Sequence, residues 1–120
     1  MMRLALTCWL FLGWAQAAQS DPSVIKDVAA TKRGQSWTFS VTLQHADTGW
    51  DHYANGWRVL SMQGEVLGTR ILTHPHVHEQ PFSRSLSGVE IPAGTAKVQI
   101  QASCLVDGWS GVPIVVTLNN

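Results

Sequence analysis

Two runs of strict apolar–polar alternation constrain this chain more than any other feature. Trp37, Phe39, Val41 and Leu43 alternate with Thr38, Ser40, Thr42 and Gln44. Ala96, Val98, Ile100, Ala102 and Cys104 alternate with Lys97, Gln99, Gln101 and Ser103 in the same way. Successive side chains of a strand point to opposite faces, so each run describes a strand with one apolar face and one polar face. Further strands are expected at residues 24–30, 57–62, 65–72, 82–91 and 112–118. Gly34, Gln63-Gly64, Pro92-Ala93-Gly94 and residues 108–111 supply the turns between them. No stretch carries a capped 3.6-residue period. Seven short strands predict an all-β, seven-stranded antiparallel β-sandwich, immunoglobulin-like or fibronectin-III-like. The antibody markers are missing. The second strand has no cysteine to pair with Cys104, and the only tyrosine, Tyr53, is misplaced for a tyrosine corner.

The N-terminus reads as a secretory signal. Arg3 supplies the positive charge, residues 4–14 the apolar stretch and Ala15-Gln16-Ala17 a small-x-small cleavage site. The apolar stretch is about half the roughly 20 residues that a membrane-spanning helix needs. Thr7-Cys8 does not form a lipoprotein cleavage box. Residues 1–17 are therefore expected to be removed, leaving one domain over 18–120, exported to the periplasm or the extracellular space, with no membrane span of its own. Seven Lys or Arg then face eight Asp or Glu, a formal charge of −1. The absence of a basic patch argues against nucleic acid and against attraction to anionic lipid. One cysteine remains, so no internal disulfide can form, and a monomer is expected. Cys104 is read as a small buried apolar residue, with a metal-ligand role as the alternative.

Chemistry concentrates at one end. The run His74-Pro75-His76-Val77-His78-Glu79 holds three of the five histidines; the others are His45 and His52. In an antiparallel sandwich, successive loops alternate between the two poles. Loops 31–35, 63–64 and 92–95 fall at one pole and lack His and Trp. Loops 46–56, 73–81 and 107–111 fall at the other, with His52, His74, His76, His78, Trp50 and Trp109, and His45 closes the second strand there. Loops on a rigid sandwich are where binding and catalysis usually reside.

Three chemistries compete for that pole. In an extended segment, residues i and i+2 lie about 6.5 Å apart on one face. His74 and His76, or His76 and His78, could converge on one ion. All three could not do so without a bend, so His52 or Glu79 is the expected further ligand. Imidazole with carboxylate suits copper or zinc better than calcium or magnesium. Asp51 would orient a ligand imidazole through a hydrogen bond. The bland alternative has His74 or His76 bonding loop backbone while Pro75 and Pro81 stiffen the connection. Asp51, a histidine and Glu79 could also form an acid–base group. No nucleophile-elbow motif appears, however, and Ser83, Ser85 and Ser87 fit as strand residues, so binding is favoured over catalysis. The third reading is a protein- or glycan-binding module that uses Trp50, Tyr53 and Trp109 as contact aromatics.

The segments Gly49-Trp50-Asp51-His52-Tyr53-Ala54, His74-Pro75-His76 and Glu79-Gln80-Pro81-Phe82 together resemble a group of small secreted bacterial proteins of unknown function. That resemblance implies bacterial origin and export, and no activity.

Overall fold

The computed structural model describes residues 21–119, and the expected signal segment, residues 1–17, lies outside them. Seven strands follow in order: β1 (Val24–Arg33), β2 (Ser36–Gln44), β3 (Ala54–Ser61), β4 (Val66–Ile71), β5 (Phe82–Val89), β6 (Lys97–Cys104) and β7 (Ile114–Thr117). They form two antiparallel sheets, β1-β2-β5 and β4-β3-β6-β7. The all-β sandwich expected from the alternation is what forms. β4 hydrogen-bonds to β3, whereas the fourth strand of a constant-type immunoglobulin domain joins the sheet of the first two. Among the described residues no helix is long and apolar enough to cross a membrane.

Several strand ends differ from the periodicity. β1 runs on to Arg33, because the two-residue turn Gly34-Gln35 lets Thr31, Lys32 and Arg33 pair with Thr38, Trp37 and Ser36. Gly34 sits at the first central position with φ of 65°, the type II′ arrangement that matches strand twist. β3 begins at Ala54, three residues before Trp57, and so shortens the loop that precedes it. Ser87-Gly88 does not break β5. The strand continues to Val89 through a register shift against Trp37 and Phe39, and Gly88 takes φ of 72° there.

The two alternating runs supply the middle of the core. Phe39, Val41 and Leu43 of β2 are fully buried, and they meet Trp57 and Val59 of β3 and Val98 and Ile100 of β6, equally buried. β2 is the central strand of its sheet, while β3 and β6 are the central pair of theirs, so both faces of this core are strand-backed. The β2–β3 and β4–β5 connections each pass from one sheet to the other. They therefore arch over the same end of the core. Truncating Phe39 to alanine should cost about 3–5 kcal/mol of stability. Urea unfolding with an unchanged m-value is the measurement, and a loss under 1 kcal/mol would mean that the site is not core.

Candidate functional site

The inward parity of the core strands explains the site. On β2 the buried positions are 37, 39, 41 and 43, and the next inward position is His45, 2% exposed. On β6 the inward positions are 98, 100 and 102, and the next is Cys104, 1% exposed; Ser103, also buried, lies on the alternate face. Both strands run toward the same pole, so each inner stripe ends there on a side chain with a donor atom.

Asp47 fastens the loops over this point. Its carboxylate is fully buried. Oδ1 accepts from His45 Nδ1 at 2.6 Å and from the Ala54 N–H at 2.9 Å, while Oδ2 accepts from the His76 N–H at 2.7 Å. One side chain thus ties the end of β2, the start of β3 and the β4–β5 loop. Gln80 adds a second tie: its Oε1 accepts from the His45 N–H at 3.1 Å, and its Nε2 donates to the His76 carbonyl at 2.9 Å. The β6–β7 connection joins through the Leu105 N–H, which donates to the Tyr53 carbonyl at 2.9 Å. All three loops meet at one pole.

With Nδ1 of His45 committed to Asp47, Nε2 faces inward. It lies 2.9 Å from the Asp21 carbonyl oxygen, and Cys104 Sγ lies 3.7 Å from that same oxygen. His52 is carried by a tight turn in which its N–H donates to the Gly49 carbonyl at 3.2 Å and its carbonyl accepts from the Thr48 N–H at 3.0 Å. Its ring meets His45 edge-on at 4.6 Å between centroids, and its Nε2 is buried with no hydrogen-bond partner. One nitrogen each from His45 and His52, together with Cys104 Sγ, lie within 4.8 Å of one another. Ligands at about 2.0–2.3 Å from a zinc-like ion sit about 3.3–3.8 Å apart, so the three donors need close in by only about 1 Å. This group could hold a metal ion. Burial pushes the Cys104 thiol above its ordinary value, with the Asp107 N–H pulling the other way. That N–H donates to Sγ at 3.4 Å.

The donors brought together with His52 are not the ones expected from the sequence. Among the described residues, no group of three or more such donors includes His74, His76, His78 or Glu79. Convergence of residues i and i+2 on one ion requires an extended segment, whereas Asp47 and Gln80 fold this loop inward at His76. His76 is 5% exposed and stacks on Phe82 at 3.9 Å between centroids. Its Nε2 accepts from Arg84 at 2.8 Å, and Nδ1 is buried without a partner. The exposed His74 tilts against His76 at 4.5 Å between centroids, with its Nδ1 3.2 Å from the Pro75 carbonyl. His78 and Glu79 are exposed, and Glu79 lies 3.7 Å from Arg84. Asp51 is exposed as well; the carboxylate that orients an imidazole is Asp47.

The aromatics divide. Trp50 is 68% exposed beside Tyr53, at 5.8 Å between centroids, and borders an open groove of about 600 Å³ against residues 74–79. Trp109 is half-buried under the Arg58 guanidinium, 4.2 Å from its ring, and Trp57 belongs to the core.

No protein-family model matches the chain, and no solved structure matches it. Over 96 residues, 80% of this chain, it is 36% identical to a protein of Halomicrobium mukohataei named "Putative lipoprotein". The chain spans 47% of that protein's length.

Two outcomes follow from the loop ties. Asp47→Ala leaves the Ala54 and His76 amides and His45 Nδ1 buried without their acceptor. It should cost about 3–5 kcal/mol in urea unfolding, and a near-neutral result would show that the carboxylate does not fasten the pole. The second concerns acid. Burial first, then Arg84 and His74, hold His76 below its ordinary value of 6.5. The unfolded chain therefore takes up this proton at a higher pH than the folded one, so stability falls as pH drops below 6.5, down to the folded value. Thermal unfolding across that range should fall more steeply for the native chain than for His76→Gln; parallel curves would contradict it.

Proposed function

We propose that this is an exported protein, periplasmic or extracellular, that binds a transition metal, copper or zinc, at the three-loop pole. The observation that carries the reading is the convergence of His45, His52 and Cys104 donors within 4.8 Å, with His52 Nε2 buried and unpartnered. Asp47 on Nδ1 of His45 has the role of the carboxylate that orients a ligand imidazole and raises its basicity. The ligand set thus keeps His52 from the sequence expectation and replaces His74, His76, His78 and Glu79 with His45 and Cys104. Export is supported by the signal-like residues 1–17 and by the lipoprotein name of the relative. The resemblance to small secreted bacterial proteins of unknown function agrees with that reading and adds no chemistry.

A second reading rests on Trp50. A tryptophan 68% exposed at the rim of an open groove is a natural contact for a protein or glycan partner. That role leaves the buried donors unused, so it ranks second.

Calorimetric titration with zinc and with copper tests the metal reading. His52→Ala and Cys104→Ala should each lose most of the affinity, while His74→Ala/His78→Ala should retain it. Equal binding by all of these and the native chain would overturn the proposal. A bound thiolate must first give up its proton, which burial makes harder. Affinity should therefore rise with pH, by about tenfold per unit for each proton released. Titrations in buffers of different ionisation enthalpy check this, and a pH-independent affinity would exclude the thiolate as a ligand.

A further inference from the structure

Resting on that metal reading, we infer that the site is a copper–thiolate centre. Its three principal donors are His45 Nε2, His52 Nε2 and Cys104 Sγ, and the backbone carbonyl of Asp21 is a fourth, weaker one.

The donor chemistry separates copper from zinc. Structural zinc sites close with four cysteine or histidine side chains, and catalytic ones leave a position for water. Here there are three such side chains, and the place beside two of them is taken by a carbonyl. The Asp21 oxygen is 2.9 Å from His45 Nε2 and 3.7 Å from Cys104 Sγ. Two imidazoles, one thiolate and a neutral backbone oxygen match the donor types of a copper site with two histidines, one cysteine and a weak fourth ligand.

The surroundings fit as well. The Asp107 N–H donates to Sγ at 3.4 Å, and hydrogen bonding to the sulfur is one of the levers that sets such a site's potential. The Asp107 carboxylate also holds the fourth donor in place. Its Oδ2 accepts from the Asp21 N–H at 3.1 Å, which fixes the peptide segment that presents the carbonyl. His45 and Cys104 stand at the ends of two central core strands, and Asp47 fixes the His45 ring from behind. Three of the four donors are therefore restrained by groups that bind no metal. Two carboxylate oxygens are also near, Asp21 Oδ2 at 3.8 Å from His45 Nε2 and Asp107 Oδ2 at 3.4 Å from Sγ. Either one acting as a ligand would make the site better suited to zinc.

On binding Cu(II), the Cys104 S–H bond breaks and the sulfur lone pair forms the Cu–S bond; the Nε2–H that His45 directs at the Asp21 carbonyl breaks as well, the freed nitrogen lone pair forms the Cu–N bond, and both protons leave to solvent. No oxidant or reductant is consumed.

The test adds one equivalent of Cu(II) to the full chain and reads visible absorption and electron paramagnetic resonance, with zinc calorimetry in parallel. An intense thiolate-to-copper charge-transfer band is expected. It should be lost in Cys104→Ser and retained in Asp21→Ala, which keeps the backbone carbonyl. Circular dichroism confirms that each variant is folded, and His52→Ala, at a less buried position, provides a second variant that should lose the band. If zinc binds but Cu(II) gives only weak absorption, unchanged in Cys104→Ser, the copper–thiolate inference fails and the metal reading stands. If the band disappears in Asp21→Ala, the side-chain carboxylate is the fourth donor and the carbonyl assignment fails. If neither metal binds, both readings fail.

Discussion

The pole of this sandwich depends on one buried carboxylate. Asp47 accepts from a side chain and two backbone amides that belong to the end of β2, the start of β3 and the β4–β5 loop. Loops that cross from one sheet to the other carry backbone polar groups over an apolar core, and those groups cannot be left without partners. An acidic side chain in the middle meets that need for two amides at once. It also commits one nitrogen of His45 and so directs the other toward Cys104 and His52. The constraint that closes the fold at this end also organises the donors.

Much of this was legible in the sequence, and the remainder failed for identifiable reasons. Strict alternation over residues 37–43 and 96–104 marks two of the three central strands, β2 and β6, because their inner faces are apolar and their outer faces polar. Loop parity placed the histidine-bearing connections at one pole, and the Asp47–His76 bond joins two of them. The polar end of β1 could not be read, since an edge strand that buries little leaves no period. Asp51 looked like the orienting carboxylate because it adjoins His52, yet side-chain neighbourhood inside a tight turn is not set by sequence adjacency.

The histidine run teaches a related lesson. His74, His76 and His78 are conspicuous because they are close in sequence, whereas His45 and Cys104 lie 59 positions apart and meet only through the core. A signal for them did exist. Extending each inner stripe by one more alternate position leads from Leu43 to His45, and along β6 it ends on Cys104. Donor atoms at the ends of core stripes inherit the order of the core. The β4–β5 loop histidines lack that backing, except His76, whose ring is packed on Phe82 and bonded to Arg84.

The opposite pole is built quite differently. Its β1–β2 and β3–β4 turns are short, its β5–β6 connection is closed by the Thr95–Pro92 bonds, and Gly34, Gly64 and Gly94 carry the positive φ angles. Each keeps its glycine, because a side chain at such a φ is strained even though a Cβ would meet nothing within 4 Å, while the neighbouring Gln35, Gln63 and Ala93 are exposed. This end is therefore a natural handle. A linker, a dye or a surface attachment placed at one of these turns would orient every molecule with its donor-bearing pole outward, so the fold comes with a built-in direction for immobilisation.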